Sequence, residues 1–444
     1  MQPVGERTED FPTPHSRAGT GAVPLLPAPL FWSVEVVVTG IGLVSALGGL
    51  EPSWCSLLDG ESGIKQHQPF PEIPARPLAL VGEVTTSLDA LTQRVVADAV
   101  QDAGLTLPIP ECGVAIGSSR GCQASWEQMA KSLRLGDWRQ GGNLTPLFSH
   151  SPLPTPYFPA IDLQQWLNTL PHQAAIATAR QIGSKGPVLA PMAACATGIW
   201  AIAQGFELIQ TGQCQQVIAG AVEAPITPLT LAGFAKMGAL AYKGSYPFDR
   251  YREGLVLGEG AAVLVLESAN LARERSAPIY GQLLGFGLTC DAYHVSAPEP
   301  ASKSALVAVR QCLERSYLSL SDINYIHAHG TGTQLNDQNE AQLIQCLFGQ
   351  DVPVSSTKGA TGHTLGASGA LGAAFCLMAL KHQVLPPCVG LEKPEFGLDL
   401  VTASRQGEIG RILCFSFGFG GQNAVMALGK NKDVKIKSSH VRDK

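Results

Sequence analysis

The sequence is poor in charged residues and lacks the patterns that mark a disulfide framework or a zinc site. Only 15% of its 444 residues are charged and the net charge is −5, which indicates no basic surface for nucleic acid or a membrane. The 11 cysteines are odd in number, scattered, and form no C-x-x-C pair. Such usage is typical of free thiols in a reducing compartment, so we predict a cytoplasmic protein with no metal site.

A recognisable membrane span is also missing. Residues 23–47 are nearly apolar, but three prolines and Glu35 interrupt them. Upstream, Glu6, Glu9 and Asp10 are acidic where a secretory signal would be basic. We therefore predict that the protein does not enter a membrane.

The composition favours an α/β chain with an extensive buried sheet, because 45% of the residues are apolar and 48 are glycines that permit close backbone packing. Residues 1–33 are rich in proline and glycine without periodicity, which predicts a disordered extension. We predict that residues 140–172 form a long loop or cap and that residues 431–444 form a basic, solvated tail.

Between these segments the second half of the chain repeats features of the first. The glycine-rich stretch before residue 261 recurs before residue 424, and the small-residue helix after residue 198 recurs after residue 366. Because the repeats lie about 160 residues apart, we predict two duplicated βαβ-rich halves, 34–280 and 281–430.

One early motif imitates a cofactor-binding loop. The segment from Gly40 through Gly42 to Ser45 follows a β-branched run and resembles a dinucleotide-binding turn, but Ser45 replaces the third glycine. We interpret these glycines as a turn under a crossing backbone and predict no dinucleotide cofactor.

Cys195 lies at the centre of the sequence pattern. An apolar run from Gly186 to Ala194 precedes it, and a stretch with helical spacing follows. We expect a buried strand that turns into a helix at this cysteine. The free N–H groups and positive dipole end of that helix would stabilise a thiolate, or an oxyanion formed when the sulfur attacks a carbonyl. Taken alone, a buried cysteine among alanines is more often a packing residue than a catalytic one.

Three further motifs carry polar groups on short, glycine-rich loops. His329 follows a strand in the run His327-Ala328-His329-Gly330-Thr331-Gly332-Thr333. Lys358 and His363 lie five residues apart before an apolar helix, where burial is costly unless both are hydrogen-bonded. The third motif is Phe415-Ser416-Phe417-Gly418-Phe419-Gly420-Gly421-Gln422-Asn423.

Together with Ala194-Cys195-Ala196-Thr197-Gly198, these motifs closely resemble those of the β-ketoacyl-acyl-carrier-protein synthases, and most closely the elongating, type II (KAS II-like) enzymes. The similarity runs from about residue 34 to residue 430 in the same order. It implies the thiolase fold, with two duplicated halves in a five-layered αβαβα sandwich, and a homodimer. It also implies an acyltransferase that performs decarboxylative Claisen condensation in fatty acid elongation.

The resemblance assigns the catalytic roles. Cys195 would take the acyl chain from acyl carrier protein, supported by its own backbone N–H and that of Phe419. His329 and His363 would hold the malonyl thioester oxygen as carbon dioxide leaves. Lys358 would order this network, and no cofactor would be needed beyond the phosphopantetheine arm that carries both substrates.

The resemblance also assigns supporting residues. Asp337 and Glu340 would hold the catalytic lysine. The hydroxyls of Thr331 and Thr333, together with Gly420, would contact the pantetheine arm. The aromatic side chain of Phe419 would gate the acyl chain.

Some positions depart from the family pattern. Gly372 stands where a glutamate is common, which puts a hydrogen-bond network or monovalent-cation site in doubt, and Gly238 replaces a frequent arginine. The basic cluster that docks the acidic carrier is absent around Arg94, and four other residues are candidates to replace it: Lys236, Lys243, Arg250 and Arg252.

Other functions remain open on the sequence. A ketosynthase of polyketide or specialised-lipid synthesis would share the same motifs. A non-catalytic chain-length partner typically loses the cysteine, which this chain keeps, and a thiolase lacks the two-histidine pattern. A pure carrier-binding scaffold would tolerate the loss of Cys195.

Overall fold

A computed structural model describes residues 33–135 and 163–431. The predicted extension at 1–33, except its last residue, lies outside these ranges, as do most of the predicted loop at 140–172 and the tail from residue 432 onward.

The strands are numbered in chain order. They are β1 (Val36–Ser45), β2 (Gly48–Gly49), β3 (Lys65–His67), β4 (Arg76–Leu78), β5 (Gly113–Gly117), β6 (Val188–Leu189), β7 (Gln216–Glu223), β8 (Gly260–Ser268), β9 (Gly281–Cys290), β10 (Tyr325–His327), β11 (Pro353–Ser355), β12 (Val384–Leu385), β13 (Asp399–Leu400), β14 (Arg405–Gln406), β15 (Arg411–Gly418) and β16 (Gln422–Gly429).

The α-helices are numbered in the same way, and two 3₁₀ turns lie at Leu320–Asp322 and Leu365–Ala367. The helices are α1 (Leu50–Leu58), α2 (Leu88–Asp102), α3 (Gln123–Leu135), α4 (Leu163–Leu167), α5 (Gln173–Ile182), α6 (Thr197–Gln210), α7 (Pro228–Lys236), α8 (Ala269–Glu274), α9 (Lys303–Ser316), α10 (Gln334–Phe348), α11 (Lys358–Thr361) and α12 (Ser368–His382).

The main sheet shows the duplication in its strand order, which is β13-β11-β10-β15-β16-β9-β1-β8-β7-β5-β6. On one side β6, β5 and β7 are parallel and are followed by antiparallel β8 and β1. On the other side β11, β10 and β15 are parallel and are followed by antiparallel β16 and β9. The two halves therefore repeat one pattern and join where β1 pairs with β9.

Helices lie on both faces of the two half-sheets. Helix α6 packs on β5 and β7, and α12 packs on β15, on β8 and on α6, so these two helices form a central layer. Helices α2 and α5 cover the outer face of the first half, and α9 covers that of the second. The result is the duplicated, five-layered αβαβα arrangement that the resemblance implies.

The central layer explains why the sequence of α12 is apolar on all sides. The segment Leu365–His382 is long and apolar enough to cross a membrane, but 89% of it is buried inside the protein. A helix surrounded by sheets and another helix has no face for water, so it carries no polar stripe.

The turn predicted at residues 40–45 is wrong, because these residues continue strand β1. Its glycines let α2 approach the strand closely: a Cβ atom on Gly42 would lie 1.8 Å from the Val95 carbonyl oxygen, and one on Gly40 would lie 2.6 Å from that of Ala99. The motif therefore serves helix–strand packing and not nucleotide binding.

Candidate active site

Cys195 lies on a sharp turn immediately before α6. The strand expected before it is short, since only Val188–Leu189 is a strand, and Ala194 has a positive φ of 47°. Non-glycine residues are strained in this region, and such strain is typical of functional turns. Thr197 fixes the turn, because its hydroxyl accepts from the Ala193 N–H at 2.8 Å and donates to the Ala194 carbonyl. On the opposite side the Ser416 hydroxyl donates to the Cys195 carbonyl at 2.8 Å.

Burial raises the pKa of Cys195 to about 11, although the positive charge of Lys358 and a hydrogen bond from the Phe419 backbone N–H oppose the shift. Desolvation of the sulfur therefore outweighs the groups that stabilise a thiolate. The sulfur must lose its proton to a neighbouring base as it attacks.

His329 is fixed from behind by Lys358. The lysine ammonium donates to the His329 carbonyl oxygen and lies 3.4 Å from His329 Nδ1. Because an ammonium group has no acceptor, Nδ1 must accept, and the proton of the neutral ring then lies on Nε2. Burial lowers the pKa of His329 well below its usual value, and Lys358 and His363 lower it further.

His363 lies beside His329, with ring centroids 5.3 Å apart and the rings nearly perpendicular. Its Nδ1 is 2.9 Å from the hydroxyl of Ser368, the first residue of α12. A hydroxyl can donate or accept, so it supports either tautomer of this imidazole. Burial and then Lys358 lower the pKa of His363 well below its usual value.

The nucleophile and both imidazoles meet at one point. The Cys195 sulfur and one nitrogen from each of His329 and His363 all lie within 4.8 Å of one another, and all three residues are buried. The structure thus brings together the sulfur and two neutral imidazoles that the sequence predicted as catalytic.

The two predicted acidic residues hold the His329 loop. Glu340 accepts from the backbone N–H groups of His329 at 2.6 Å and Gly330 at 2.7 Å. Asp337 accepts from the Thr331 and Gly332 backbone at 3.0 and 3.2 Å. The ammonium group of Lys358 contacts His329 and neither of these carboxylates.

The two carboxylates act on Lys358 through their charge. Both raise the pKa of Lys358, against the larger lowering caused by burial. Burial in turn raises the pKa of Glu340 to about 7, because the bonds from the loop compensate only part of its desolvation.

A cavity of about 320 Å³ leads to the Cys195 sulfur. Thr331 and Thr333 line it, and their hydroxyls are 2.8 Å apart. Phe419 also lines it, is 37% exposed, and stacks on Phe234 with ring centroids 5.9 Å apart. These three positions agree with a channel for a carrier arm and an aromatic group at its entrance.

Gly420 does not take part in this lining. Its backbone N–H donates to the Val295 carbonyl at 2.9 Å, and its φ of 77° suits a turn that only glycine adopts without strain. Gly420 therefore shapes the loop, and its contact with the pantetheine arm stays a prediction.

A second depression, of about 850 Å³, lies between α2 and α5 and contains none of the predicted site residues.

The candidates for carrier docking divide by exposure. Lys236, Lys243 and Arg250 are exposed, as docking requires. Arg252 is only 2% exposed, because its guanidinium pairs with Glu395 and lies 3.7 Å from Asp337. Arg252 is therefore a buried structural cation and not a docking residue.

Two models of known families match the chain. "Beta-ketoacyl synthase, N-terminal domain" matches residues 83–272, and "Beta-ketoacyl synthase, C-terminal domain" matches residues 280–392. The 3-oxoacyl-[acyl-carrier-protein] synthase 2 of Synechocystis sp. is 35% identical over 429 residues, which span 89% of this chain and 98% of the relative. That of Coxiella burnetii is 33% identical over 427 residues, again 89% and 98%. The chain belongs to the β-ketoacyl synthase family.

Solved structures agree with this family and with the predicted thiolase fold. A β-ketoacyl synthase from Burkholderia phymatum has a TM-score of 0.80 at 26% identity, over 90% of this chain and all of that one. A type II polyketide ketosynthase in complex with its acyl-carrier protein has a TM-score of 0.81 at 27% identity, with the same coverage. The ishigamide ketosynthase/chain length factor has a TM-score of 0.80 at 27%, over 90% and 99%.

Two residues important to this β-ketoacyl synthase site were missed from the sequence. Ser368 sets the environment of His363, and Glu223 joins two loops beside the nucleophile. The buried Glu223 carboxylate accepts from the Ser119 N–H at 2.7 Å and from the Gly366 N–H at 3.0 Å. The available signal was an acidic residue at the end of the apolar run Gln216–Glu223, since a buried charge must be hydrogen-bonded.

Proposed function

We propose that this protein is a 3-oxoacyl-[acyl-carrier-protein] synthase of fatty acid elongation, which extends an acyl chain by two carbons with malonyl-acyl carrier protein as donor. The observation that carries the proposal is the meeting of Cys195, His329 and His363 within 4.8 Å at the end of the cavity. A thiolate attacks and leaves readily, and two neutral imidazoles can hold an enolate oxygen.

The first half-reaction loads the enzyme. Cys195 gives its proton to His363 while its sulfur attacks the thioester carbonyl of the acyl carrier. The backbone N–H groups of Cys195 and Phe419 hold the oxyanion. The carbon–sulfur bond to the carrier then breaks, and the departing carrier sulfur takes the proton from His363. The Ser368 hydroxyl supports both states of this imidazole, because it can accept from Nδ1–H or donate to Nδ1.

The second half-reaction forms the carbon–carbon bond. Carbon dioxide leaves the malonyl group, and the electron pair of the broken bond becomes an enolate whose oxygen is held by N–H groups of His329 and His363. The enolate carbon attacks the acyl-Cys195 carbonyl, and collapse of the adduct expels the cysteine sulfur as a thiolate, which takes up one proton from the solvent. The two histidines must be neutral here, because an acidic imidazolium would protonate the enolate carbon; burial and Lys358 keep both pKa values low.

Intact-mass spectrometry tests the first half-reaction. The chain is mixed with a panel of acyl-carrier thioesters, and malonyl carrier is added afterwards. We expect an acyl adduct on Cys195 that malonyl carrier discharges as a 3-oxoacyl product. Cys195→Ala should lose both events and stay folded, whereas Cys290→Ala, which removes an exposed cysteine, should keep them. Elongation by Cys195→Ala would contradict the proposal.

Two histidine variants test the second half-reaction. His329→Ala and His363→Ala should each slow malonyl decarboxylation more than acyl loading, because each removes a donor to the enolate oxygen. His329→Ala is the cleaner case, since the mechanism gives it no part in loading. Equal losses in both steps for this variant would contradict the assigned roles.

A ketosynthase of polyketide or specialised-lipid synthesis is the second candidate, favoured by the type II polyketide ketosynthase among the similar structures. The relatives named 3-oxoacyl-[acyl-carrier-protein] synthase 2 are more similar in sequence, at 35% and 33% identity. The two candidates differ in their products. Saturated acyl primers that load and extend once support elongation, whereas repeated extension without reduction on one carrier supports polyketide synthesis.

We further propose a cytoplasmic homodimer that works with acyl carrier protein and needs no cofactor for the condensation. The edge strand β6 supports the dimer, because Val188 is 37% exposed and the nearby Met192 is 56% exposed at an open sheet edge. Light scattering should give twice the mass of one chain, and a monomer across micromolar concentrations would contradict the dimer.

A further inference from the structure

A second buried group of sulfur and imidazole ligands lies behind the active site. His327 is the last residue of β10, Cys376 lies in α12, and Cys414 lies in β15. We call these three residues the His327 cluster. Their exposures are 2%, 0% and 0%, and one ligand atom from each lies within 4.8 Å of the other two.

The spacing of the His327 cluster suits a shared ion. Cys414 Sγ lies 3.8 Å from His327 Nδ1. Ligand bonds of about 2.3 Å for sulfur and about 2.05 Å for nitrogen, set about 120° apart around one ion, also place the two atoms about 3.8 Å apart. Cys414 Sγ and His327 Nδ1 therefore already lie at the separation expected in a trigonal metal site, without movement of either side chain.

The surroundings of the imidazole are those of a metal ligand. Its other nitrogen, Nε2, lies 3.3 Å from the Thr357 hydroxyl, which fixes the ring and leaves Nδ1 directed at the sulfur. Gly372 makes room for the ring, since a Cβ atom there would lie 2.8 Å from His327 Cε1 and 3.0 Å from Cys414 Sγ. The departure from the family pattern at position 372 thus creates the space that this group fills.

The donor atoms of the His327 cluster are two cysteine sulfurs and one imidazole nitrogen. A cysteine binds a metal ion as the thiolate. Thiolate and imidazole together select thiophilic ions over Mg²⁺, Ca²⁺ or alkali ions.

We propose that His327, Cys376 and Cys414 bind one thiophilic d¹⁰ cation, Cu⁺ or Zn²⁺, as a structural site. Binding releases the two thiol protons to water, and the ion links β10, α12 and β15 by coordinate bonds. These elements carry the catalytic loops, because His329 follows His327 by two residues and Ser416, which holds the Cys195 carbonyl, follows Cys414 by two. The proposal does not depend on the condensation reaction.

This proposal differs from the prediction that the chain has no metal site. Cysteine spacing could not reveal it, since its three ligands are 49 and 38 residues apart in the sequence. It was assembled only when three distant elements packed together.

Metal analysis of the whole chain tests the proposal. The protein is expressed with added copper or added zinc, purified without oxygen, and analysed by mass spectrometry of the elements. All variants carry Cys195→Ser, which removes the sulfur of the other candidate ligand group, Cys195 with the two catalytic histidines. We expect about one ion per chain, lost in Cys376→Ser and Cys414→Ser. The matched control is Cys312→Ser, which removes an equally buried cysteine outside the cluster and should keep the ion.

X-ray absorption spectroscopy of the Cys195→Ser protein is a second test, and it does not depend on whether the cluster variants fold. A first shell of two sulfurs and one nitrogen supports the proposal for either metal, because no other described ligand group offers that set. Equal metal content in the cluster variants and the control, or a shell without two sulfurs, overturns it. A Cys376–Cys414 disulfide in the anaerobic protein, found by peptide mapping, also overturns it, because the sulfurs would then be unavailable as thiolates.

Discussion

Replacing Lys358 by methionine tests how this fold keeps two histidines neutral. Methionine fills a similar volume in the buried site but removes the ammonium that lies 3.4 Å from His329 Nδ1. The charge of Lys358 lowers the pKa values of both His329 and His363, after burial. Its loss should therefore raise both pKa values.

The magnitude follows from the distance. Two unit charges 3.4 Å apart interact by about 5 kcal/mol at an effective dielectric constant of about 20. Relaxation of the protein and entry of water reduce this upper limit, and we expect the pKa of His329 to rise. A protonated imidazole would then protonate the enolate carbon, so acetyl carrier should accumulate at the expense of the 3-oxoacyl product.

The assay is the pH dependence of condensation and of malonyl decarboxylation, from about pH 5 to about pH 9. In Lys358→Met the acid limb of the condensation profile should move to higher pH, while circular dichroism shows an unchanged fold. Lys303→Met is the control, because its side chain is 79% exposed and should leave the profile unchanged. An acid limb that stays in place, or moves to lower pH, would refute the electrostatic role given to Lys358.

Three other changes probe neighbouring features. Ser368→Ala removes the hydroxyl 2.9 Å from His363 Nδ1, and turnover should fall about tenfold with stability unchanged; full turnover would contradict its positioning role. Burial raises the pKa of Glu259 to about 7, so the folded chain keeps a proton that the unfolded chain has lost, and stability falls as pH rises from about 4.5 to 7. In urea unfolding, Glu259→Gln should reduce this decline in the free energy of unfolding by up to about 3 kcal/mol. An equally steep decline in the variant would contradict the raised pKa of Glu259. Gly42→Ala should lower the free energy of unfolding by about 2 kcal/mol or more, because its Cβ would lie 1.8 Å from the Val95 carbonyl oxygen; Gly233→Ala, with free space, should not.

Local patterns predicted the site well where each motif works within one loop. The hydroxyls of Thr331 and Thr333, the Lys358 loop and the nucleophile before α6 all lie where their sequence contexts indicated. The duplication could also be predicted from the sequence, because the repeated glycines and small-residue helices mark equivalent strands and the two central helices. Burial could not be predicted in this way. The thiol pKa of Cys195 and the exposed fraction of Arg252 both depend on how much of the protein covers each group.

The sequence by itself determined the chemistry available to this protein, since residue types and loop contexts specify a sulfur nucleophile, two imidazoles and a lysine. Only the tertiary structure decided which of these groups meet and in which protonation state. Cys195 and His329 come from different halves of the duplicated fold, 134 residues apart, and the central layer brings them together. Distance and desolvation are properties of the packed chain, so the donor form of His329, the hydroxyl partner of His363 and the His327 cluster became visible only after folding.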